Sequence, residues 1–203
     1  MHVHIIYTGG TIGMVGSPHG LVPGADLEGW LDSLLAGTPL ARSVSVTSLT
    51  PLIDSSNATP LSWQAIVDDL RAHAAADPQT AFVILHGTDT MAYTSAALSY
   101  ALTDLSVPVV VTGSQLPLGE LGTDAAANVT GALKAATSGR LSGVALFFGH
   151  RLLAGNRVTK SSSWAFTGFE SPNAAPLATT GAPWQWAPST RGGAGWKDAA
   201  PYA

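Results

Sequence analysis

Four segments of the sequence are rich in hydroxyl groups, the side chains that attack carbonyl carbons in acyl transfer. Residues 8–11 read Thr-Gly-Gly-Thr, residues 54–57 Asp-Ser-Ser-Asn, residues 86–90 His-Gly-Thr-Asp-Thr and residues 112–115 Thr-Gly-Ser-Gln. Glycine turns also present backbone N–H groups that can hold a developing oxyanion. These residue types indicate acyl transfer by a hydroxyl nucleophile.

Such a nucleophile needs a group that accepts its proton, because a free threonine hydroxyl reacts weakly at neutral pH. Lys160 is the candidate base, if Asp89 and its surroundings hold it in place. The Asp89 carboxylate itself can orient a base or bind a substrate ammonium. Thr11, in the first segment, is the candidate nucleophile.

Each signal also has a purely structural interpretation, which the residues alone leave open. Residues 8–11 are compatible with a tight turn between a strand and a helix, and residues 88–89 with the cap of a helix starting near Met91. Lys160 is compatible with a solvated surface lysine. His86 ends a buried run, and we interpret it as structural.

Several other kinds of site are excluded. The chain has no cysteine, which removes disulfides, thiolate ligands and cysteine nucleophiles. The glycines at positions 9, 10 and 13 lack the spacing of a dinucleotide-binding loop. We predict no metal, and we assign no role to the histidines that lack metal-ligand spacing, which are His2, His4, His19, His73 and His150.

The composition is that of a folded protein with no electrostatic support for binding nucleic acid. Of its 203 residues, 46% are hydrophobic and 11% are charged, and the net charge is −4. No apolar run approaches the length that spans a bilayer. The N-terminus lacks the basic region and long apolar run of a signal peptide. We therefore expect a cytoplasmic protein without a membrane or nucleic-acid partner.

The elements that must position the hydroxyl-rich segments alternate along the chain. Short apolar runs predict strands, and stretches with helical periodicity between them predict helices. The strands are expected at residues 3–7, 44–49, 81–85, 107–112 and 144–148, and the helices at residues 26–35, from Pro60 after a Thr59 cap, at 91–102 and at 123–137. This order predicts a doubly wound α/β fold with a mostly parallel sheet. Ligands bind such a sheet at the carboxyl ends of its strands, where the hydroxyl-rich segments fall.

The composition of the sequence changes near residue 170, where a stretch rich in Pro, Ala and Thr begins. Residues 188–203 include a glycine-rich run and show no periodicity. We predict a catalytic domain over residues 1–187. Residues 188–203 are predicted to be a flexible tail or a truncated linker.

Together these segments resemble the bacterial L-asparaginase family, in particular its cytoplasmic type I branch. Residues 8–13 are similar to the first signature of that family, and residues 86–91 to the second. The resemblance extends in the right order over residues 1–185 and includes the segments at 54–57, 112–117, 155–160 and 169–173. It implies the fold of the family's N-terminal domain.

The resemblance also implies catalytic roles. Thr11 would attack the side-chain amide of L-asparagine and form a covalent acyl-enzyme. Thr88, Asp89 and Lys160 would form a second triad, in which Thr88 positions water and its backbone N–H serves the oxyanion. The products would be aspartate and ammonia, and no cofactor is implied.

Substrate-binding roles follow from the same resemblance. Ser55 and Ser56 would hold the α-carboxylate of the substrate, and Asp89 its α-ammonium. Ser114 would lie beside the amide that is cleaved. The family also implies a homo-oligomer.

The sequence departs from the family pattern in two ways. Family members carry a tyrosine in the loop after the first signature, and Leu21 stands at that position here, with His19 two residues away. Loss of a general acid or base typically lowers a rate by about 10²–10⁴. Family chains also continue into a smaller C-terminal domain, most of which we expect this chain to lack.

Three functions are therefore considered. The first is hydrolysis of L-asparagine. The second is an ammonia-supplying subunit of a tRNA-dependent amidotransferase, which a chain beginning directly at the first strand does not favour. The third is a catalytically silent module that binds asparagine or aspartate, or an interaction module. The replacement at Leu21 favours the third, whereas retention of Thr11, Thr88, Asp89 and Lys160 together opposes it.

Overall fold

The computed structural model of the protein describes residues 1–103 and 106–188. An eight-stranded sheet forms its centre, and two two-stranded sheets accompany it. The strands are β1 Val3–Tyr7, β2 Met14–Ser17, β3 Gly20–Pro23, β4 Val44–Ser48, β5 Ala81–Leu85, β6 Pro108–Thr112, β7 Gly143–Phe148, β8 Arg151–Ala154, β9 Thr159–Lys160, β10 Phe169–Glu170, β11 Ala178–Thr179 and β12 Gln185–Trp186. The α-helices are α1 Leu27–Leu35, α2 Pro60–Ala76, α3 Met91–Ala101 and α4 Ala125–Ala136.

The strand order of the large sheet is β12-β11-β8-β7-β6-β5-β1-β4. The four neighbouring pairs β4–β1, β1–β5, β5–β6 and β6–β7 are parallel. The strands β8, β11 and β12 extend the sheet in antiparallel pairings. The predicted α/β fold with a mostly parallel sheet is therefore confirmed, and each predicted strand and helix is present with small differences at its ends.

Helices cover both faces of the sheet, because alternate residues of a strand point to opposite sides. On β5, Val83 and Leu85 lie in a core that includes residues of α1 and α4. Phe82 and Ile84 lie in a second core that includes residues of α2 and α3. Every residue of β1, β5 and β6 is buried, which explains their nearly uninterrupted apolar sequences.

Local sequence determines where the first two α-helices begin. Asp26 caps α1, since its carboxylate accepts a hydrogen bond of 2.9 Å from the Gly29 N–H. Thr59 is the cap of α2 and Pro60 its first residue, as predicted. The Thr59 N–H donates to Ser62 Oγ at 3.1 Å, which completes a capping box.

Several strands were not predicted from the sequence. The strands β2 and β3 form an antiparallel hairpin directly after the first hydroxyl-rich turn. Each of β9 to β12 has only 2 residues, too few for a periodic pattern to indicate a strand. The hairpin follows Thr11 and carries Leu21.

The sequence also predicted a tail at the end of the chain and the absence of a segment that spans a membrane. Apart from Pro188, the predicted tail at residues 188–203 lies outside the described residues. Of the helices in the part of the chain that the structure describes, none combines the length and apolar character needed to cross a bilayer.

Candidate active site

The four hydroxyl-rich segments follow β1, β4, β5 and β6, which are neighbours in the sheet. Thr11 begins a short 3-10 helix after β1, and Ser55 begins another after β4. Thr88 follows β5, and Ser114 follows β6. Because these strands are parallel, their carboxyl ends meet at one edge of the sheet, where open α/β folds bind ligands.

Glycines allow the backbones of these turns to touch. Gly10 has a φ of 94°, in the region that favours glycine. A Cβ built on Gly10 would lie 2.5 Å from the Cα of Gly87, and one built on Gly87 would overlap the side chain of Ser55. The turns that carry Thr11, Thr88 and Ser55 therefore pack against one another.

Lys160 joins Thr88 and Asp89 into one cluster. Lys160 Nζ donates hydrogen bonds of 2.9 Å to Thr88 Oγ1 and 2.9 Å to Asp89 Oδ1. Lys160 belongs to β9, and its pairing with Phe169 of β10 holds its backbone. The Lys160 side chain is 18% exposed, whereas that of Asp89 is 62% exposed. The interpretation of Lys160 as a solvated surface lysine is therefore wrong.

The helix-cap interpretation of residues 88–89 is also wrong. The residue that caps α3 is Thr90, and no side chain makes a capping hydrogen bond there. The Thr90 hydroxyl instead donates to the carbonyl oxygen of Ser55 at 2.7 Å, which ties the loop after β5 to the loop after β4. Thr88 and Asp89 are thus available to Lys160 and to a ligand.

Gln115, in the segment after β6, supports Thr88 in a way that the sequence did not predict. Thr88 Oγ1 lies 3.5 Å from Gln115 Oε1, and Gln115 Nε2 donates to the carbonyl oxygen of Ala165 at 3.0 Å. The Gln115 N–H lies 3.0 Å from both carboxylate oxygens of buried Asp124. Asn128 Nδ2 donates to Asp124 Oδ2 at 3.0 Å. The sequence carried no signal of this, because an acidic residue before a helix ordinarily indicates a cap.

The serines predicted to bind substrate differ in exposure. Ser55 and Ser114 are buried, whereas Ser56 is exposed. The Ser114 hydroxyl donates to the carbonyl oxygen of Leu116. The Ser56 hydroxyl donates to Asp54 Oδ1 at 2.9 Å. All three serines lie at the candidate rim, but the Ser56 hydroxyl must rotate away from Asp54 before it can donate to a ligand carboxylate.

Thr11 lies partly exposed at the start of its turn, ahead of the hairpin formed by β2 and β3. Leu21, which the family resemblance implies stands at the position of a tyrosine, is 49% exposed and pairs across the hairpin with Gly16. His19 lies exposed in the hairpin turn, at the end farther from Thr11. Among residues 1–103 and 106–188, no side chain makes a hydrogen bond with the Thr11 hydroxyl.

Tyr7, the last residue of β1, supports the Thr11 turn. A Cβ built on Gly13 would overlap the Tyr7 phenol, so the ring packs directly against this turn. Burial raises the pKa of Tyr7. Its phenol therefore stays protonated at neutral pH and does not supply a phenolate base.

A cluster of two histidines and an aspartate involves residues to which the sequence assigned no role. His4 Nε2 lies 3.5 Å from Asp69 Oδ2, and His73 Nδ1 lies 3.6 Å from Asp69 Oδ1. The rings of His4 and His73 stack at 3.5 Å with their planes 17° apart. His73 Nδ1 also lies 2.9 Å from the carbonyl oxygen of Asp69, which only accepts, so this nitrogen carries a hydrogen and offers no lone pair to a metal ion. Burial raises the pKa of Asp69, but hydrogen bonds from His4 and Thr47 and the charges of His73 and His4 outweigh burial and leave the pKa lowered.

Known proteins share this architecture. The family model described as "Asparaginase, N-terminal" matches residues 2–190. L-asparaginase 1 of Escherichia coli strain K12 is 46% identical over 184 residues, which cover 88% of this chain and 53% of that protein. The crystal structure of L-asparaginase I from Vibrio cholerae has a TM-score of 0.86 and 40% identity, and the match covers 98% of this chain and 61% of that chain.

The chain spans about half the length of the curated relatives it matches. A component of the glutamyl-tRNA(Gln) amidotransferase of Methanococcus maripaludis is less similar, with 30% identity over 188 residues that cover 87% of this chain and 43% of that protein. The amidotransferase hypothesis is therefore not favoured. The family resemblance inferred from the sequence is confirmed: this chain belongs to the asparaginase family, whose N-terminal domain it matches.

Proposed function

We propose that the chain is an L-asparaginase-type amidohydrolase that converts L-asparagine to L-aspartate and ammonia. The observation that carries the proposal is the cluster in which Lys160 Nζ bonds Thr88 Oγ1 and Asp89 Oδ1, each at 2.9 Å. This cluster lies at the sheet edge that also holds Thr11. A nucleophilic hydroxyl beside a connected amine, hydroxyl and carboxylate suits amide hydrolysis.

In the proposed mechanism, Thr11 Oγ1 attacks the amide carbon of the substrate, and the Thr88 backbone N–H holds the developing oxyanion. The amide C–N bond then breaks, and the proton of the Thr11 hydroxyl ends on the departing ammonia. An ester now links the aspartyl group to Thr11. Water, positioned by Thr88 and Lys160, adds to this ester. Cleavage of the ester bond returns a proton to Thr11 and releases aspartate.

The substrate groups that do not react are assigned to the surrounding side chains. The exposed Asp89 carboxylate uses Oδ1 for Lys160, and we assign its other oxygen to the α-ammonium of asparagine. Ser55 and Ser56 are assigned to the α-carboxylate, and Ser114 to a position beside the amide. This assignment requires the Ser56 hydroxyl to exchange Asp54 for the substrate.

The direct test is ammonia release from L-asparagine by the purified 203-residue chain. Thr11→Ala removes the nucleophile, and Thr11→Ser retains a hydroxyl at the same position as a matched control. We expect turnover by the wild type and by Thr11→Ser but not by Thr11→Ala. Equal turnover by the wild type and Thr11→Ala would refute Thr11-dependent hydrolysis.

A second candidate function is favoured by Leu21. If the missing tyrosine abolishes proton transfer, the same site becomes a silent module that binds asparagine or aspartate. Such a module predicts that aspartate raises the melting temperature while no ammonia forms, since a ligand that binds only the folded state stabilises it by about RT ln(1 + [L]/Kd). Ammonia formation that depends on Thr11 excludes this alternative.

The remaining expectations are part of the same proposal. We propose that residues 1–187 are the catalytic domain, that the protein acts in the cytoplasm, and that it forms a homo-oligomer. Size-exclusion chromatography with light scattering tests the oligomeric state, and cell fractionation tests the location.

A further inference from the structure

His86 directly follows the last residue of β5, at the start of the loop that carries Thr88, and it is 1% exposed. Both of its ring nitrogens have partners. His86 Nδ1 lies 2.7 Å from the carbonyl oxygen of Gly87, and Nε2 lies 3.0 Å from Thr94 Oγ1. Trp63 Nε1 lies 3.0 Å from the same Thr94 oxygen. A continuous chain of hydrogen bonds therefore runs from Trp63 to the Gly87 carbonyl.

The direction of every bond in this chain follows from its two ends and from the charge of the His86 ring. A carbonyl oxygen only accepts, so His86 Nδ1 carries a hydrogen and donates to Gly87. Burial lowers the pKa of His86, more strongly than the Gly87 hydrogen bond raises it, so the ring is neutral at pH 7 and Nε2 accepts. Thr94 therefore donates to Nε2 and accepts from Trp63, whose indole only donates.

The Gly87 carbonyl belongs to the same peptide unit as the Thr88 N–H. A hydrogen bond to the carbonyl holds the orientation of this peptide and polarises its N–H, because linked hydrogen bonds strengthen one another. Among the described residues, no acceptor takes the Thr88 N–H. The N–H is thus left for a ligand.

We propose that His86 is a positioning residue, which holds the Gly87–Thr88 peptide so that the Thr88 N–H points at the oxyanion of the reacting amide. This inference rests on the proposed function. Thr94 and Trp63 act through His86 by selecting the tautomer with hydrogen on Nδ1. A histidine kept only for packing would need neither this tautomer nor the bond to Gly87.

The first measurement is the tautomer of His86 in the wild-type chain, from the two-bond 1H–15N correlations of its ring. We expect hydrogen on Nδ1 and a bare Nε2. The opposite tautomer would overturn the proposal, because Nδ1 then cannot donate to Gly87. This measurement requires no catalytic activity, so it remains decisive if the proposed hydrolysis fails.

A matched pair of variants separates the two ends of the ring. His86→Asn places an amide N–H where Nδ1 lies and retains the bond to Gly87. His86→Gln places its amide where Nε2 lies and retains only the bond to Thr94. We expect His86→Asn to keep kcat within about threefold and His86→Gln to lose about tenfold at unchanged KM, less than the roughly 10²–10³ lost when an oxyanion donor is removed.

The amide proton shift of Thr88 is read in the same variants. We expect it to stay near the wild-type value in His86→Asn and to move upfield in His86→Gln. Equal kcat and equal Thr88 shifts in the two variants would overturn the proposal. If the wild type shows no turnover, the hydrolysis proposal fails, and the tautomer and the Thr88 shifts still decide the role of His86.

Discussion

Lys160 Nζ lies 2.9 Å from Thr88 Oγ1, although 72 positions separate the two residues along the chain. The fold creates this pair by placing Thr88 after β5 and returning the chain to the same edge through the short strand β9. A second bond from Lys160 reaches Asp89. The pair therefore depends on tertiary structure and is the first feature to test by mutation.

We expect Lys160→Met to reduce asparagine turnover by about 10²–10⁴, the usual effect of losing a general acid or base. Its effect on the melting temperature should be small, because the partner carboxylate of Asp89 is mostly exposed and such ion pairs contribute little. Ammonia release and thermal unfolding measure the two effects. Arg157→Met, at an exposed position nearby in the chain, is the control and should match the wild type in both.

Asp124 should contribute more to the free energy of unfolding than an aspartate that only caps a helix. Its carboxylate accepts the N–H groups of Gln115 and Leu116, and Asn128 donates to it as well. Asp124→Asn replaces one acceptor oxygen by a donor and leaves a buried N–H without a partner. We expect a loss of about 1–3 kcal/mol in the free energy of unfolding, measured with urea.

Asp32→Asn is the control for this change, because Asp32 is exposed on α1. It should alter the free energy of unfolding by less than about 0.5 kcal/mol. Equal stabilities of the Asp124 and Asp32 variants would contradict a supporting role for Asp124. Turnover should fall in the Asp124 variant too, because Gln115 contacts Thr88.

Gly10→Ala should disrupt the contact between the turns that carry Thr11 and Thr88. The new Cβ would lie 2.5 Å from Gly87, and the φ of 94° at Gly10 is unfavourable for alanine. We expect a loss on the order of 1–3 kcal/mol in unfolding free energy, with loss of turnover. Gly119→Ala, where a Cβ meets open space, should leave both quantities unchanged.

Elements that are encoded by one continuous stretch of sequence could be predicted from the sequence alone. The strand that precedes Thr11 and the one that precedes Thr88 are each one apolar run, and each was located from local pattern alone. The turns that carry Thr11 and Thr88 come directly after these strands along the chain. Their meeting at one edge followed from the general rule for parallel sheets.

Contacts between distant segments were not predictable from local pattern. His4 and Asp69 lie far apart along the chain, so periodicity gave no reason to join them, although their side chains lie 3.5 Å apart. The hydrogen bond from the Gln115 N–H to Asp124 was not predicted, because a contact of this kind across a loop produces no periodic pattern of residue types in the sequence. The strand that holds Lys160 has 2 residues, so local pattern did not locate it, and the family resemblance supplied the link to Thr88.

Leu21 offers a test in which activity should increase. Leu21 is half exposed on β3, so a tyrosine fits there without disturbing the core. We expect Leu21→Tyr to raise asparagine turnover at least about tenfold, because a restored general acid or base typically contributes about 10²–10⁴. Val22→Tyr, on the opposite face of the hairpin, should not raise it. A rise in neither variant would show that the hairpin does not limit turnover.

His86 should make stability depend on pH below neutrality. Burial lowers its folded-state pKa below the ordinary 6.5, so as the pH falls below 6.5 the unfolded chain gains a proton that the folded chain does not. The stability contributed by neutral His86 is present above pH 6.5 and decreases by up to about 1.4 kcal/mol per pH unit below it.

His86→Asn removes the imidazole that titrates and serves as the comparison. Lowering the pH from about 7.5 to about 5.5 should therefore reduce the unfolding free energy of the wild type more than that of His86→Asn, by at most about 1.4 kcal/mol, as measured with urea. A difference that is constant with pH would mean that the folded protein protonates His86 as readily as the unfolded chain does.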